Sequence, residues 1–433
     1  MQINEAKTTE LEKELKELRA NHNKFINSNL KLDLTRGKPS TAQLNLSNQL
    51  LETVKPENAT HDGLDLRNYG VLDGLPSAKR LFGEILGIPE TEASERVFIG
   101  GNSSLNLMHN VVSFAYYLGL KKDDTPWIKQ LDSGQKIKML CPCPGYDRHF
   151  SLCTQLGIEM VPVNLTGCGP DMDQVESFVK NDQLIKGIWC VPRFANPTGE
   201  VYSEDVVNRI AALGKQASKN FLVLWDNAYA VHSITPDAAK LTSIDSAAKE
   251  HGTSDSIIQF GSTSKITFAG AGIAFLTSSV NNVNGFTSHF GKTSIGSDKI
   301  NQARHVRFLK NIDGVKNHMK KHADIVGPKF NAVIDALENN LKNSEMGEWS
   351  SPKGGYFVSF NTLPGLAKRV VQLAAEAGVK LTPAGATFPE GKDPHDRNIR
   401  LAPTYPELND VKKAMEVFVN CVKLASIESQ IVS

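Results

Sequence analysis

Through the middle of the chain, short apolar runs alternate with helical periodicities, and the runs end on polar residues. The runs read as strands over 97–99, 137–140, 160–163, 187–191, 221–225 and 256–260, and helical spacing covers 105–118, 150–156, 172–179 and 203–217. This alternation predicts an open, mostly parallel α/β sheet, whose ligands bind outside the carboxyl ends of the strands. The residues that follow the runs are therefore where chemistry is to be sought.

Four such ends stand out. Strand 187–191 leads to Asn196-Pro197-Thr198-Gly199, strand 221–225 to Asp226-Asn227-Ala228-Tyr229, and strand 256–260 to Gly261-Ser262-Thr263-Ser264-Lys265. A lysine at the lip of a buried strand loses solvation, which lowers its pKa and favours the free amine that reacts with a carbonyl compound. The pentapeptide alone also fits a surface lysine in a Ser/Thr loop. Strand 97–99 ends on Gly100-Gly101-Asn102-Ser103-Ser104 and opens a helix. The unpaired N–H groups and positive dipole end of a helix N-terminus suit a phosphate, and a serine there is equally an ordinary N-cap.

The flanking regions have a different character. Leu11, Leu15 and Leu18 predict a one-striped helix over 8–27, packed on a second domain or on a partner subunit. After it, Leu32 to Pro39 is strand-like and broken by Gly37 and Pro39, which makes either a substrate-bordering loop or a plain turn. Ser77 reads as the N-cap of a helix over 78–86. Long helical periodicities over 300–343, joined near Gly327-Pro328, lead into a smaller domain. That domain contains a strand over 355–360, a helix over 366–377, a strand over 399–401 and a final helix over 407–424. The division expected is a large domain over 50–320 and a small one from 1–49 and 321–433.

The chain has 433 residues with 40% hydrophobic and 22% charged content, which excludes membrane and disordered classes, and its net charge of +1 without a basic run predicts no binding to nucleic acid or an anionic bilayer. Residues 1–18 are charged where a signal peptide needs an apolar centre, so a cytoplasmic protein is expected. Six cysteines are too few for a disulfide framework, and Cys141-Pro142-Cys143 lacks the second pair a metal site needs, so no metal is expected. Phe268 to Phe275 holds a Gly-x-Gly fragment but not the third glycine of a dinucleotide loop, which weighs against an NAD-dependent oxidoreductase.

The segments around Asn196, Asp226 and Lys265, in that order, resemble the core of the fold-type I pyridoxal-phosphate enzymes, the class I and II aminotransferases, over nearly the whole chain. Gly101 to Leu105 and Ser262 to Phe268 are similar to segments of the divergent bacterial aspartate aminotransferase-like branch. The resemblance implies a large domain with a mostly parallel seven-stranded-type sheet flanked by helices, plus a smaller α+β domain. It implies that Lys265 holds pyridoxal 5'-phosphate as an imine and then shuttles the Cα proton. Asp226 would face the pyridine nitrogen, Tyr229 and Asn196 the phenolate oxygen, and Tyr146 would stack on the ring or serve as packing. Ser103, Ser104 and Ser262 would share the phosphate, joined by Tyr69 from the neighbouring subunit of a homodimer. Arg400 would grip the substrate α-carboxylate, with Asn196 and Gly37 bordering the substrate.

One departure is plain. The family usually carries a phosphate-binding arginine seven or eight residues after the lysine, where this chain has Gly272 and Ile273. The activity implied is a ping-pong exchange of an amino group between an amino acid and a 2-oxo acid, aspartate with 2-oxoglutarate. A carbon–sulfur lyase on the same scaffold is the nearest alternative, and a non-catalytic ligand sensor would not need the Lys265, Asp226 and Tyr229 set.

Overall fold

A computed structural model of the protein describes residues 8–432; the first seven residues of the charged N-terminus read above, and Ser433, lie outside the described residues. Its centre is a seven-stranded sheet in the spatial order Val97–Ile99, Ala274–Thr277, Ile257–Ser262, Leu222–Asp226, Ile185–Cys190, Lys138–Cys143, Glu159–Asn164. The last five pair in parallel, as the alternation with helices predicts. Ala274–Thr277 runs antiparallel to both its neighbours. No helix separates it from Ile257–Ser262, so the pair is joined by the loop that carries Lys265, and the Gly270-Ala271-Gly272 run lies in that loop instead of opening a helix as a dinucleotide site would.

Alternate strand residues serve different layers, as the two-residue period requires. Trp189, Leu224 and Ile258 pack with Leu107, Val111 and Phe150 on one face. Ile188, Val223 and Trp225 pack with Val175, Val207 and Ile210 on the other. A separate apolar cluster joins Leu11, Leu15 and Leu18 to Val326, Phe330, Phe360, Leu401 and Phe418. It covers a three-stranded antiparallel sheet of Gly347–Trp349, Val358–Thr362 and Asn398–Leu401. The N-terminal helix Thr8–Asn27 thus packs its leucine stripe within the same chain.

Several local expectations are corrected. The join at Gly327-Pro328 does not exist: one helix runs Ile312–Leu341 with Pro328 inside it, preceded by Lys299–Leu309. A proline removes only its own N–H, and here burial of Val326 and Phe330 on either side, with Lys329 Nζ donating to Thr404 O at 2.9 Å, holds the helix through it. Ser77 is not a cap, because Pro76 starts the helix Pro76–Ile85 after Leu75. Strand Val358–Thr362 begins three residues late, after Phe357, which lines the pocket, and the final helix Leu408–Val432 runs past residue 424. Cys141 lies within its strand, which continues to Cys143, and all six cysteines are free. Among the described residues no helix is long and apolar enough to cross a membrane, and no group of three His, Cys, Asp or Glu side chains is placed to hold a metal.

Candidate active site

The carboxyl ends of the parallel strands open into a cavity of ≈ 620 Å³ between the large sheet and the small antiparallel one. Lys265, Asp226, Tyr229, Tyr146, Asn196 and Arg400 all line it, so the structure brings together six residues scattered between positions 146 and 400. Gly37 lines it as well, and a Cβ there would lie 2.5 Å from Phe357 Cζ, which is why that position takes no side chain.

Lys265 follows the strand Ile257–Ser262, and its Nζ lies 5.0 Å from the Tyr229 ring centroid and 5.8 Å from that of Tyr356. Part of the side chain is open to the cavity, yet protein surrounds the amine. That desolvation holds its pKa below the ordinary lysine value, against the opposing pull of Asp226. Asp226 ends the strand Leu222–Asp226 and is buried. One of its oxygens, Oδ2, accepts a hydrogen bond from His149 Nε2 at 3.1 Å; the other, Oδ1, is buried without a partner in the protein. The His149 ring is stacked on Trp189 at 4.2 Å and 9°, and meets the Tyr146 ring edge-on at 5.0 Å. Burial pushes the Tyr146 hydroxyl up to about 12 and that of Tyr229 well above its ordinary value, so both remain protonated donors.

Arg400, in the strand Asn398–Leu401, is held from several sides. Its Nη1 donates to Asn196 Oδ1 at 3.1 Å and to Asp147 Oδ1 at 3.3 Å, and its Nη2 lies 3.4 Å from both Thr35 O and Thr382 Oγ1. Phe357 lies under the guanidinium at 4.8 Å, and Nε is buried without a partner. The fork is oriented by neutral groups and one shared carboxylate, with donor capacity left over.

A second cavity of ≈ 160 Å³ adjoins the first at Lys265, Tyr146 and Ser104. Ser103, Ser104, Ser262 and Ser264 line it, at the start of the helix Ser104–Tyr117. Ser103 makes no side-chain cap, which leaves the first N–H groups of that helix free of one. Ser262 Oγ and Ser264 Oγ are 2.6 Å apart, and Ser264 Oγ donates to Asn102 O at 3.2 Å. The two positions of the usual arginine contribute nothing here. A Cβ on Gly272 would lie 3.0 Å from Ser264 N, and Ile273 is buried in the core with its N–H donated to Thr263 Oγ1 at 2.8 Å.

Tyr69 reaches neither cavity within its own chain. It is 81% exposed on a loop whose carbonyls Asn68 O and Gly70 O are both bonded by Lys299 Nζ. Sequence reasoning missed His149, Ser264, Thr35, Thr382 and Asp147. Of these, His149 carried a signal, lying three residues beyond Tyr146 in the helix Asp147–Gln155 and hence on the same helical face.

The model of the family described as aspartate amino-transferase matches residues 6–432 of this chain. The chain belongs to that family. An aspartate aminotransferase of Corynebacterium glutamicum is 43% identical over 401 residues, covering 92% of this chain and 90% of that one. The crystal structure of an aspartate transaminase from Corynebacterium glutamicum matches this aminotransferase with a TM-score of 0.93 and 39% identity over 99% of each chain. An α-aminoadipate aminotransferase of Thermus thermophilus, complexed with N-(5'-phosphopyridoxyl)-L-leucine, shares the fold at a TM-score of 0.74 and 20% identity, with 92% and 93% of the two chains covered. Membership in this family implies pyridoxal phosphate as the cofactor.

Proposed function

We propose that this aminotransferase exchanges an amino group between aspartate and 2-oxoglutarate, with pyridoxal phosphate held across the two adjoining cavities. The residues fit that group: Asp226 Oδ1 is a buried acceptor lacking a donor, as a protonated pyridine nitrogen would supply, and four serines with a helix N-terminus form an anion cradle. When bound, the cofactor supplies the electron sink that lets a Cα bond of the amino acid break.

The chain's own residues do the rest. Lys265 Nζ, whose charged form desolvation disfavours, carries the proton to and from Cα. Asp226 would hold a proton on the ring nitrogen, and His149, pinned by its stack on Trp189, fixes the orientation of that carboxylate. Tyr229 would donate its hydroxyl toward the ring oxygen. Asn196, whose Oδ1 is engaged by Arg400, has its Nδ2 left to do the same. Tyr146 would pack on the ring. Arg400 would meet the α-carboxylate with its unpartnered Nε and with fork N–H groups exchanged from their present neutral acceptors.

The observation that carries the dicarboxylic substrate is the surplus of positive charge in the main cavity. Arg36, Lys38, Arg148 and Lys380 line it besides Arg400, and none of the four forms an ion pair among the described residues. Asp147 and Asp226 are the only acids in the lining, and Asp147 is already paired with Arg400. A second carboxylate is attracted into such a pocket and a monocarboxylate leaves it over-charged. The aspartate aminotransferase named above, 43% identical, points the same way. The exposure of Tyr69 supports a homodimer in which the partner's loop reaches the phosphate.

The test begins with the holoenzyme. It should be yellow, and borohydride should bleach it while fixing cofactor mass on the peptide containing Lys265. Aspartate alone should release oxaloacetate up to the number of sites, and continued turnover should need 2-oxoglutarate. Catalytic release of ammonia or a thiol without any oxo acid would establish the lyase reaction instead.

A further inference from the structure

Behind Lys265, away from the cavity, a buried polar chain runs from the N-terminal segment to the lysine's own carbonyl. It starts at the short helix Thr41–Asn45, which is closed by a capping box: Ser40 N donates to Gln43 Oε1 at 3.0 Å. A main-chain N–H can only donate, so the amide oxygen of Gln43 must face Ser40 and its nitrogen must face the other way. Gln43 is fully buried, and its Nε2 has two neighbours, the Tyr356 hydroxyl at 3.0 Å and His322 Nδ1 at 3.2 Å. Both must therefore accept.

The consequences propagate by proton count alone. Tyr356, accepting from Gln43, keeps its own proton for the Lys265 carbonyl at 3.5 Å. His322, accepting at Nδ1, carries its proton on Nε2, which lies 3.2 Å from His318 Nε2. The Lys265 carbonyl also takes His232 Nε2 at 3.3 Å. One amide thus sets the direction of the Tyr356 bond that ends on the Lys265 carbonyl. Its other side is tied to the pocket. Thr35, Gly37 and Lys38 of the same segment line the cavity, and Thr35 O accepts from Arg400 Nη2 at 3.4 Å.

We propose that Gln43 is a positioning residue for Lys265, orienting the lysine's main chain through Tyr356 and coupling it to the segment that meets the substrate. This rests on the reading of Lys265 as the proton carrier.

Two variants probe the chain from its ends. Gln43→Glu keeps the shape but presents only acceptors, so Tyr356 must turn its proton away from Lys265. Tyr356→Phe removes the same bond without burying a carboxylate, and so covers a failure of the first variant to fold. Two readouts go beyond rate: the pH titration of the visible absorbance of the substrate-free holoenzyme, and the deuterium isotope effect with Cα-deuterated aspartate. In each variant the titration midpoint should move by roughly half a pH unit or more. The isotope effect should rise and kcat should fall roughly tenfold. Binding of an unreactive dicarboxylate should change less than about twofold. The double variant should be no worse than the more impaired single one, as expected for residues acting in one chain. Native midpoints and isotope effects in both singles, multiplying effects in the double, or lowered thermal stability with unchanged spectra would overturn the proposal. Absence of aspartate turnover in the native enzyme would instead defeat the functional reading, while the absorbance titration, which needs no substrate, would still report on Gln43.

Discussion

Asp226 carries two oxygens with different fates, one bonded to His149 and one buried and bare. A buried acceptor without a donor is destabilising by about 1–3 kcal/mol, so the site is built to be completed by a group carrying N–H. Replacing the carboxylate with an amide keeps the shape and removes the charge that, on the proposed reading, would hold the ring proton. Asp226→Asn should therefore bind pyridoxal phosphate, yet lose roughly 10²–10³ in kcat, the scale seen when one oriented electrostatic contact is deleted. Steady-state kinetics on cofactor-saturated protein decides it, and near-native turnover would show that the role was misassigned. Asp226, Lys265 and Tyr229 were legible because each follows an apolar strand at a spacing the family shares. His149 was not, since its role depends on Trp189 placing it, and Trp189 lies forty residues away (189 − 149 = 40) on another strand.

The helix Ser104–Tyr117 and the loop between Ile257–Ser262 and Ala274–Thr277 form the second cavity together. Apart from Lys265, its lining has no basic side chain, and Gly272 has no room for one. A phosphate there relies on hydroxyls, helix N–H groups and whatever a partner subunit brings. Ser104→Ala and Tyr69→Phe should each weaken pyridoxal-phosphate affinity roughly tenfold, the loss of about one hydrogen bond. Equilibrium dialysis of the apoprotein measures this directly, and unchanged affinity in both would refute the arrangement. Six of the seven strands of the large sheet and most helices were evident from apolar runs. Ala274–Thr277 was not, because a four-residue strand after a run of small residues has too little pattern to show its period. The continuous helix Ile312–Leu341 was also hidden, since Pro328 reads as a break until packing on both sides is seen.

Across the whole molecule, buried histidines tie stability to pH. Burial lowers His232 to about 3 and His305 and His322 to about 4, from an ordinary value of 6.5. The unfolded chain therefore binds protons that the native chain refuses once the pH drops below 6.5. Their contribution is intact above that value and is lost as the pH falls toward 4, by about 1.4 kcal/mol per pH unit for each histidine. Thermal midpoints recorded from pH 7 to pH 4.5 should fall with a slope that His305→Gln reduces; a flat profile would mean the rings are solvated. The sequence by itself determined the sheet, the order of the site segments along it, and the family, because strand periodicity and the residues at strand ends are local properties. Only the tertiary structure decided which oxygen of Asp226 is bare, which groups orient Arg400, and how Gln43 reaches Lys265. Those are contacts between residues far apart in the chain, and hydrogen-bond direction in a buried network depends on every partner being in place.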